Sequence, residues 1–572
     1  MTGVEAQSAA TRAMATAKNE WWRGAVIYQI YPRSFHDASG DGLGDLAGIS
    51  EKLDYVASLG VDAIWISPFY KSPMRDFGYD VADYRAVDPI FGTLDDFQHL
   101  LEKAHRLNLK VLIDLVLSHT SDEHDWFTQS RQSRDNAKAD WYVWADPKTD
   151  GTPPNNWLSI FGGGAWAWEP RRRQYYLHNF LTCQPDLNLH NKAVQDQLLS
   201  DAAFWLDMGV DGFRLDAVNF CTHDPQLRDN PPLKPGERPT DGVPLDNPYA
   251  YQRHLYDKTQ PETVHFLKRL RALTDRYNAR ATMGEVSGDD SLSIAADYTR
   301  SGDRLNMAYT FNLLTQTFTA EHLRDVVEEM EAQIDDGWAS WAFSNHDVAR
   351  AVSRWGNPGD GEFARLLMAL LFSLRGTACL YQGEELGLAE AEVPFERLQD
   401  PYGKAFWPEY KGRDGCRTPM PWQGSADHAG FSTAEPWLPV DPSHLELAVD
   451  RQDHLPGSLL NAYRGFLHWR RTQPALRFGS LTVKESEAPL LIFERRCPEQ
   501  KMLAVFNCGP EPRDLQLEDS QDLKALDGHG FTAALENGTL RLPRYGVFFG
   551  GMNNEVQQEV SGNGIEGGTN HG

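Results

Sequence analysis

From Trp21 onward, short runs of apolar residues alternate with stretches in which apolar residues recur every three or four positions. The runs are AVIYQI (Ala25–Ile30), DAIWIS (Asp62–Ser67), KVLIDLV (Lys110–Val116), Gly212–Ala217, Ala281–Val286, Ala308–Leu314, Trp341–Ser344 and Thr377–Tyr381. Runs of this length that are apolar on both faces predict strands of a parallel sheet covered on both sides. Between them, Leu94–Leu107 and Thr263–Tyr277 carry a helical period, so strand and helix alternate. Eight such units predict a closed α/β architecture, the (β/α)8 TIM barrel. An open doubly wound sheet would need a glycine-rich phosphate turn after its first strand, where this chain has SGDGLGD.

The breaks in the pattern mark the remaining organisation. Residues 1–20 are small and polar and read as a disordered leader. The barrel is expected over 21–118 and 189–477, interrupted by an inserted domain at 119–188 that is rich in Trp, Gly and Pro. A proline-rich connection after Asp216 (DNPPLKPGERPTDGVPLDNP) reads as an irregular wall, and Leu388–Trp422 forms a third long loop. From Phe478 strands follow one another without helices, predicting a C-terminal antiparallel β-domain over 478–552. A Gly- and Asn-rich tail fills 553–572.

Functional residues of such a barrel lie at the C-terminal ends of its strands, and here those ends are polar. Arg214 and Asp216, two residues apart, share a face. A carboxylate beside a fixed cation is expected to have a lowered pKa and to stay ionised, which suits a nucleophile. An ordinary strand-end ion pair reads the same way on these residues alone. Glu285 follows an apolar strand and Gly284 with no basic neighbour in sequence, so a raised pKa and a general-acid role are expected. Asp347, beside His346, is the third group. Three carboxylates converging on one face make a poor structural arrangement and a good site for cleaving a glycosidic bond. Two of them would stand ~5 to 5.5 Å apart in a retaining enzyme.

Charge narrows the partners. Asp and Glu number 81 against 55 Lys and Arg, a formal net charge of -26, which argues against nucleic acid and anionic membranes. No run approaches the ~18 apolar residues of a membrane span. The first twenty residues lack a secretory apolar core, giving a cytoplasmic expectation. Six scattered cysteines, at 183, 221, 379, 416, 497 and 508, are expected to be reduced thiols.

GVDGFRLDAV, LIDLVLSH, MGEV and FSNHD resemble the four short sequence regions of the α-amylase family, glycoside hydrolase family 13. QPDLN (Gln184–Asn188) and GRDGCRTPMPW (Gly412–Trp422) are similar to its oligo-1,6-glucosidase and α-glucosidase branch. The resemblance spans Trp21–Gly550. It implies Asp216 as nucleophile, Glu285 as general acid/base and Asp347 as transition-state stabiliser. It also implies that Asp76 and Arg413 grip the non-reducing glucose, that Tyr79 stacks beneath it, and that His119, Arg214 and His346 bind its hydroxyls or position the carboxylates. The implied activity is a retaining, exo-acting α-glucosidase on small α-glucosides, with hydroxyl acceptors as second substrates and a monomer or homodimer as the working state.

Two departures from the family pattern matter. In DASGDGLGD, Asp37, Asp41 and Asp45, with Ser39 and Leu43, resemble a loop that holds one structural Ca²⁺ or Mg²⁺, although relatives commonly carry Asn in place of Ser39. An empty Asp-Gly turn is the alternative. Ser118 replaces the Asn that ligates an inter-domain ion in calcium-dependent amylases, so that ion is not expected. Ala217, a small residue after Asp216, goes in the relatives with α-1,4 or sucrose-type substrates, and Val with α-1,6. Three rival readings stand at this point. Two are enzymes: a dedicated α-glucosyltransferase and a sucrose or maltose isomerase. The third is a non-catalytic amylase-like heavy chain, but those carry a membrane span.

Overall fold

The structure is a computed structural model in which residues 20–237, 243–288, 290–517 and 522–552 are described. The leader, apart from Glu20, and the tail fall outside these residues.

Eight parallel strands form the barrel: β1 Val26–Ile30, β2 Ala63–Ile66, β3 Lys110–Val116, β4 Gly212–Asp216, β5 Ala281–Val286, β6 Met307–Thr310, β7 Ser340–Ala342 and β8 Thr377–Tyr381. They pair in the order β6-β5-β4-β3-β2-β1-β8-β7, and a parallel bridge between Ala308 and Ala339 joins the two end strands. Nearly every strand residue is buried, because side chains pack the barrel interior on one face and the surrounding helices on the other. Helices α1 Leu46–Ser58, α2 Leu94–Arg106, α3 Lys192–Met208, α4 Glu262–Thr274, α5 Ser291–Thr299, α6 Ala320–Gln333, α7 Gly361–Leu371 and α8 Leu459–Arg471 follow the strands in turn.

Local signals set these elements. Thr93 caps α2 in a reciprocal capping box with Asp96. Asn191 caps α3, and Gly209, at φ 106°, ends it in the left-handed conformation and releases the chain into β4. The sixth apolar run does not stay extended to Leu314 as expected. It ends at Thr310 and continues as a 3₁₀ turn, Phe311–Leu313, since apolar composition alone does not separate a strand end from a buried turn.

The long connections stand on the face formed by the strand C-termini. After β3, a small antiparallel sheet (Trp144–Ala145, Gln174–Leu177, Trp166–Glu169) forms the inserted region, its entry and exit tied by bridges His119–Asp186 and Tyr142–Leu187. At the other end of the chain, β9 Ser480–Lys484, β10 Leu490–Cys497, β11 Gln500–Asn507, β12 Leu523–Ala525 and β13 Val547–Met552 make an antiparallel sheet ordered β9-β10-β11-β13-β12. It packs beside the barrel, where Arg495 Nη1 donates to the Ser373 carbonyl at 2.5 Å and Phe549 packs on Trp469.

Candidate active site

Arg214 organises the centre of the face. It is wholly buried, with its guanidinium 4.7 Å from the Trp65 ring. Its Nη1 donates to Asp114 Oδ1 and to Asp216 Oδ1, each at 2.7 Å. Nη2 donates to Glu285 Oε2 and, at 2.8 Å, to the Tyr309 hydroxyl, which itself donates to Glu285 Oε2. β3, β4, β5 and β6 thus each send one group to a single cation. Gly284 precedes Glu285 for a steric reason, because a Cβ there would stand 2.5 Å from Leu305 Cδ1.

This geometry keeps the raised pKa expected of Glu285 but changes its surroundings, and it corrects the lowered pKa expected of Asp216. Glu285 has no basic neighbour in sequence, yet Arg214 reaches it from the adjacent strand. Nor is Asp216 depressed: burial raises both carboxyls to about 7, with Arg214 opposing and the nearby carboxylates adding to the rise. Asp114 is likewise raised, to about 6. Three carboxyls around one guanidinium do not all ionise cheaply in a buried site, so protons are shared among them.

Asp347 behaves differently. Burial alone would raise it, but Arg413 Nη1 at 3.2 Å and Arg417 Nη2 at 2.8 Å both donate to its Oδ1. It is held well below the usual carboxylate range. His346 and the two arginines oppose that rise; at pH 7 His346, pushed by burial to about 3, is neutral, and Arg413 and Arg417 are the cations left in contact with Asp347. The His346 ring lies parallel to Tyr79, centroids 5.4 Å apart at 7°, with its Nε2 2.6 Å from the Tyr79 hydroxyl.

Arg413 connects this group to Asp76. Its Nη2 donates to Asp76 Oδ1 at 2.9 Å and to Asp400 Oδ1 at 2.8 Å. Gln184 Nε2 donates to Asp76 Oδ2 at 3.0 Å and faces His119 Nε2 at 3.1 Å, which places the ring proton on Nδ1, towards Ser118 Oγ at 2.9 Å. Burial pushes His119 to about 3, so it too is neutral.

Asp76, Tyr79, Asp216, Glu285, Asp347 and Arg413 line one cavity of about 600 Å³, to which His119 also contributes. Phe161 lies 5.2 Å from the Arg413 guanidinium, and rings run from it through Phe180 to Phe220, over which Lys258 Nζ sits at 4.6 Å. The wall after β4 supplies Leu233, Glu237, Arg253 and Lys258 to that side of the cavity. All nine residues expected at the site on catalytic or substrate-binding grounds are therefore brought together.

Sequence reading missed Asp400, Arg417 and Tyr309. Asp400 and Tyr309 carry no local signal. Arg417 stands within the GRDGCRTPMPW segment, four residues after Arg413, a spacing that offered a hint.

The Asp37–Asp45 loop does not converge on a cation in this conformation. Asp37 accepts from Ser39 Oγ, Gly40 N, Gly42 N and Ser432 Oγ, and Asp45 accepts from Ser39 N and caps α1 through Gly48 N. Asp41 Oδ1 accepts from Leu43 N. Among the described residues no three His, Cys, Asp or Glu side chains are grouped to hold a metal.

Comparison with known proteins agrees with the fold. The model of the alpha amylase catalytic domain matches residues 29–479. The chain is 56% identical over 544 residues to a probable alpha-glucosidase of Rhizobium meliloti, covering 94% of this chain and 98% of that one. It is 38% identical to an oligo-1,6-glucosidase of Heyndrickxia coagulans, covering 85% and 92%. Among solved structures, an alpha-glucosyl transfer enzyme superposes with a TM-score of 0.92 at 58% identity, covering 93% of this chain and all of that one. A trehalulose synthase from Pseudomonas mesoacidophila superposes at 0.84 with 32% identity, covering 93% and 99%. With a family model spanning most of its length and relatives matched nearly end to end, the chain belongs to the α-amylase family.

Proposed function

We propose that this protein is a retaining α-glucosidase that cleaves one glucosyl unit at a time from the non-reducing end of short α-glucosides, giving it to water in some turnovers and to a hydroxyl acceptor in others. The observation that carries the reading is a shared cavity: the Arg413–Asp76 pair lines the same space as Asp216 and Glu285, which bond different nitrogens of Arg214.

In this mechanism Asp216, ionised and aimed by Arg214, attacks the anomeric carbon while Glu285, protonated, gives its proton to the leaving oxygen. A covalent glucosyl-enzyme of inverted configuration results. Glu285, now a base, takes a proton from water or from an acceptor hydroxyl, and the second displacement restores the α configuration. Asp347, kept ionised by Arg413 and Arg417, holds sugar hydroxyls and balances the positive charge that develops in the transition state. Asp76 and Arg413 bind the hydroxyls of the terminal glucose, and Tyr79 offers a ring face to it. The aromatic row and the wall line the cavity, and their shaping of the acceptor side is what would favour transfer.

A progress curve on maltose, following glucose and oligosaccharides together, tests the reading. Glucose release with oligosaccharides at high maltose is expected, and inertness towards maltose, sucrose and isomaltose alike would overturn it.

Two further points belong to the proposal. Among the described residues no helix is long and apolar enough to cross a membrane; the cytoplasmic location rests on the sequence expectation alone and is tested by cell fractionation. A structural Ca²⁺ or Mg²⁺ on the Asp37–Asp45 loop rests on the family resemblance, since the loop's carboxylates accept from backbone amides and from the Ser39 and Ser432 hydroxyls. A melting temperature that falls on chelation and recovers with the ion would support it, and no change would count against it.

A further inference from the structure

We infer that Asn219 is the positioning residue that holds the acceptor side of the cavity in register with Asp216 and Glu285; the inference rests on the glucosidase reading above. Asn219 is wholly buried, three residues after Asp216, in the 3₁₀ turn Val218–Phe220 that begins at the left-handed Ala217 (φ 39°). Its side-chain amide is committed in two directions. Nδ2 donates to the Ser287 carbonyl at 2.8 Å, and Oδ1 accepts from Ser287 N at 3.3 Å, so one amide pairs both backbone groups of the residue two positions after Glu285. Nδ2 also donates to Thr259 Oγ1 at 3.0 Å, and the Asn219 carbonyl accepts from Thr259 N at 2.6 Å.

Three segments meet at this side chain: the end of the nucleophile strand, the end of the acid/base strand, and the return of the wall into α4. Thr259 is held at φ 57°, a left-handed conformation that a β-branched residue adopts only when its surroundings impose it. Its neighbour Lys258 projects over Phe220 and lines the cavity, as do Ser287 and Gly288. Asn219 itself does not line the cavity. It acts through the groups it fixes, by setting where the leaving group or acceptor lies relative to Glu285 Oε and to the bond at Asp216. Its side-chain hydrogen bonds go to Thr259 and Ser287, and the terminal-glucose grip is bonded within itself, from Arg413 to Asp76 and Asp347.

The test separates donor chemistry from aglycone placement. α-Glucosyl fluoride needs the glucose grip and Asp216, but its leaving group occupies no aglycone site and needs little acid assistance. A disaccharide needs all of these. For Asn219→Ala, kcat/KM on α-glucosyl fluoride is expected to stay within threefold of wild type. On whichever of maltose, sucrose and isomaltose the wild type cleaves fastest, it should fall more than tenfold, with transfer to added glucose falling alongside. Thr259→Val, which removes only the wall's hydroxyl contact, should give the same split at smaller size. It decides the matter by the same criterion if Asn219→Ala does not fold. Parallel losses on both donors would make Asn219 a purely structural residue, and no loss on either would remove its role; each result overturns the inference. A wild type inert on every donor would instead overturn the glucosidase reading.

Discussion

Arg413 and Asp76 lie 337 residues apart in the chain and 2.9 Å apart in the fold, and the same guanidinium also serves Asp400 and Asp347. Its three nitrogens reach these carboxylates from separate positions, a span that the single nitrogen of an ammonium does not have. Arg413→Lys is therefore expected to lower kcat/KM by roughly 100-fold, about 2.7 kcal/mol, on disaccharides and α-glucosyl fluoride alike, because the loss is on the glucose side. Steady-state kinetics on both donors checks it, and a change below threefold would contradict the grip.

The shared protons set the pH dependence. Asp216 and Glu285 titrate as a pair, so kcat/KM should be bell-shaped: the acid limb marks formation of the ionised nucleophile and the alkaline limb loss of the acid's proton, near 7. The Tyr309 hydrogen bond lowers the Glu285 pKa. Tyr309→Phe should move the alkaline limb to higher pH, and an unmoved or lowered limb would contradict the assignment.

Stability carries the same signature with its own sign. The folded Glu285 keeps its proton up to about 7, while the unfolded side chain loses it near 4.5. Native protein then binds more protons over that interval, so this group's contribution declines as pH rises from about 4.5 through 7. Glu285→Gln removes the decline and leaves Arg214 with Asp114 and Asp216. Thermal melts should show a gain over wild type of roughly 1 to 3 kcal/mol at pH 8 and much less at pH 5. Equal gains at both pH values would contradict the shift.

Ala217 sits at φ 39°, directly after Asp216, and lines the cavity. Valine there adds a β-branch in the left-handed region, at a cost of about 1 to 3 kcal/mol, and narrows the space beside the bond to be broken. Ala217→Val should lower the melting temperature and raise the isomaltose-to-maltose ratio of kcat/KM. A ratio that stays put would detach linkage preference from this side chain.

The barrel was legible because its strands are buried on both faces, which writes each of them as a continuous apolar run such as KVLIDLV. The carboxylates were legible because the barrel places strand ends on one face. What could not be read was anything decided between segments. Arg214 belongs to β4, yet it bonds groups on β3, β5 and β6. That is why local reasoning gave Asp216 a lowered pKa when burial and a shared cation raise both carboxyls. Asp400 and Arg417 meet the site only because the Leu388–Trp422 loop folds back over it, and no periodicity encodes that return.

The central claim is that Asp216 forms a covalent bond to glucose and Glu285 then resolves it. The most direct test is mass spectrometry of proteolytic peptides after reaction with a 5-fluoro-α-glucosyl fluoride, whose electron-poor ring slows the second step. The account predicts one fluoroglucosyl group on the peptide containing Asp216, absent from Asp216→Asn, together with release of α-glucose as the first anomer from natural substrate. A label on another carboxylate, or no label with β-glucose released first, would contradict it.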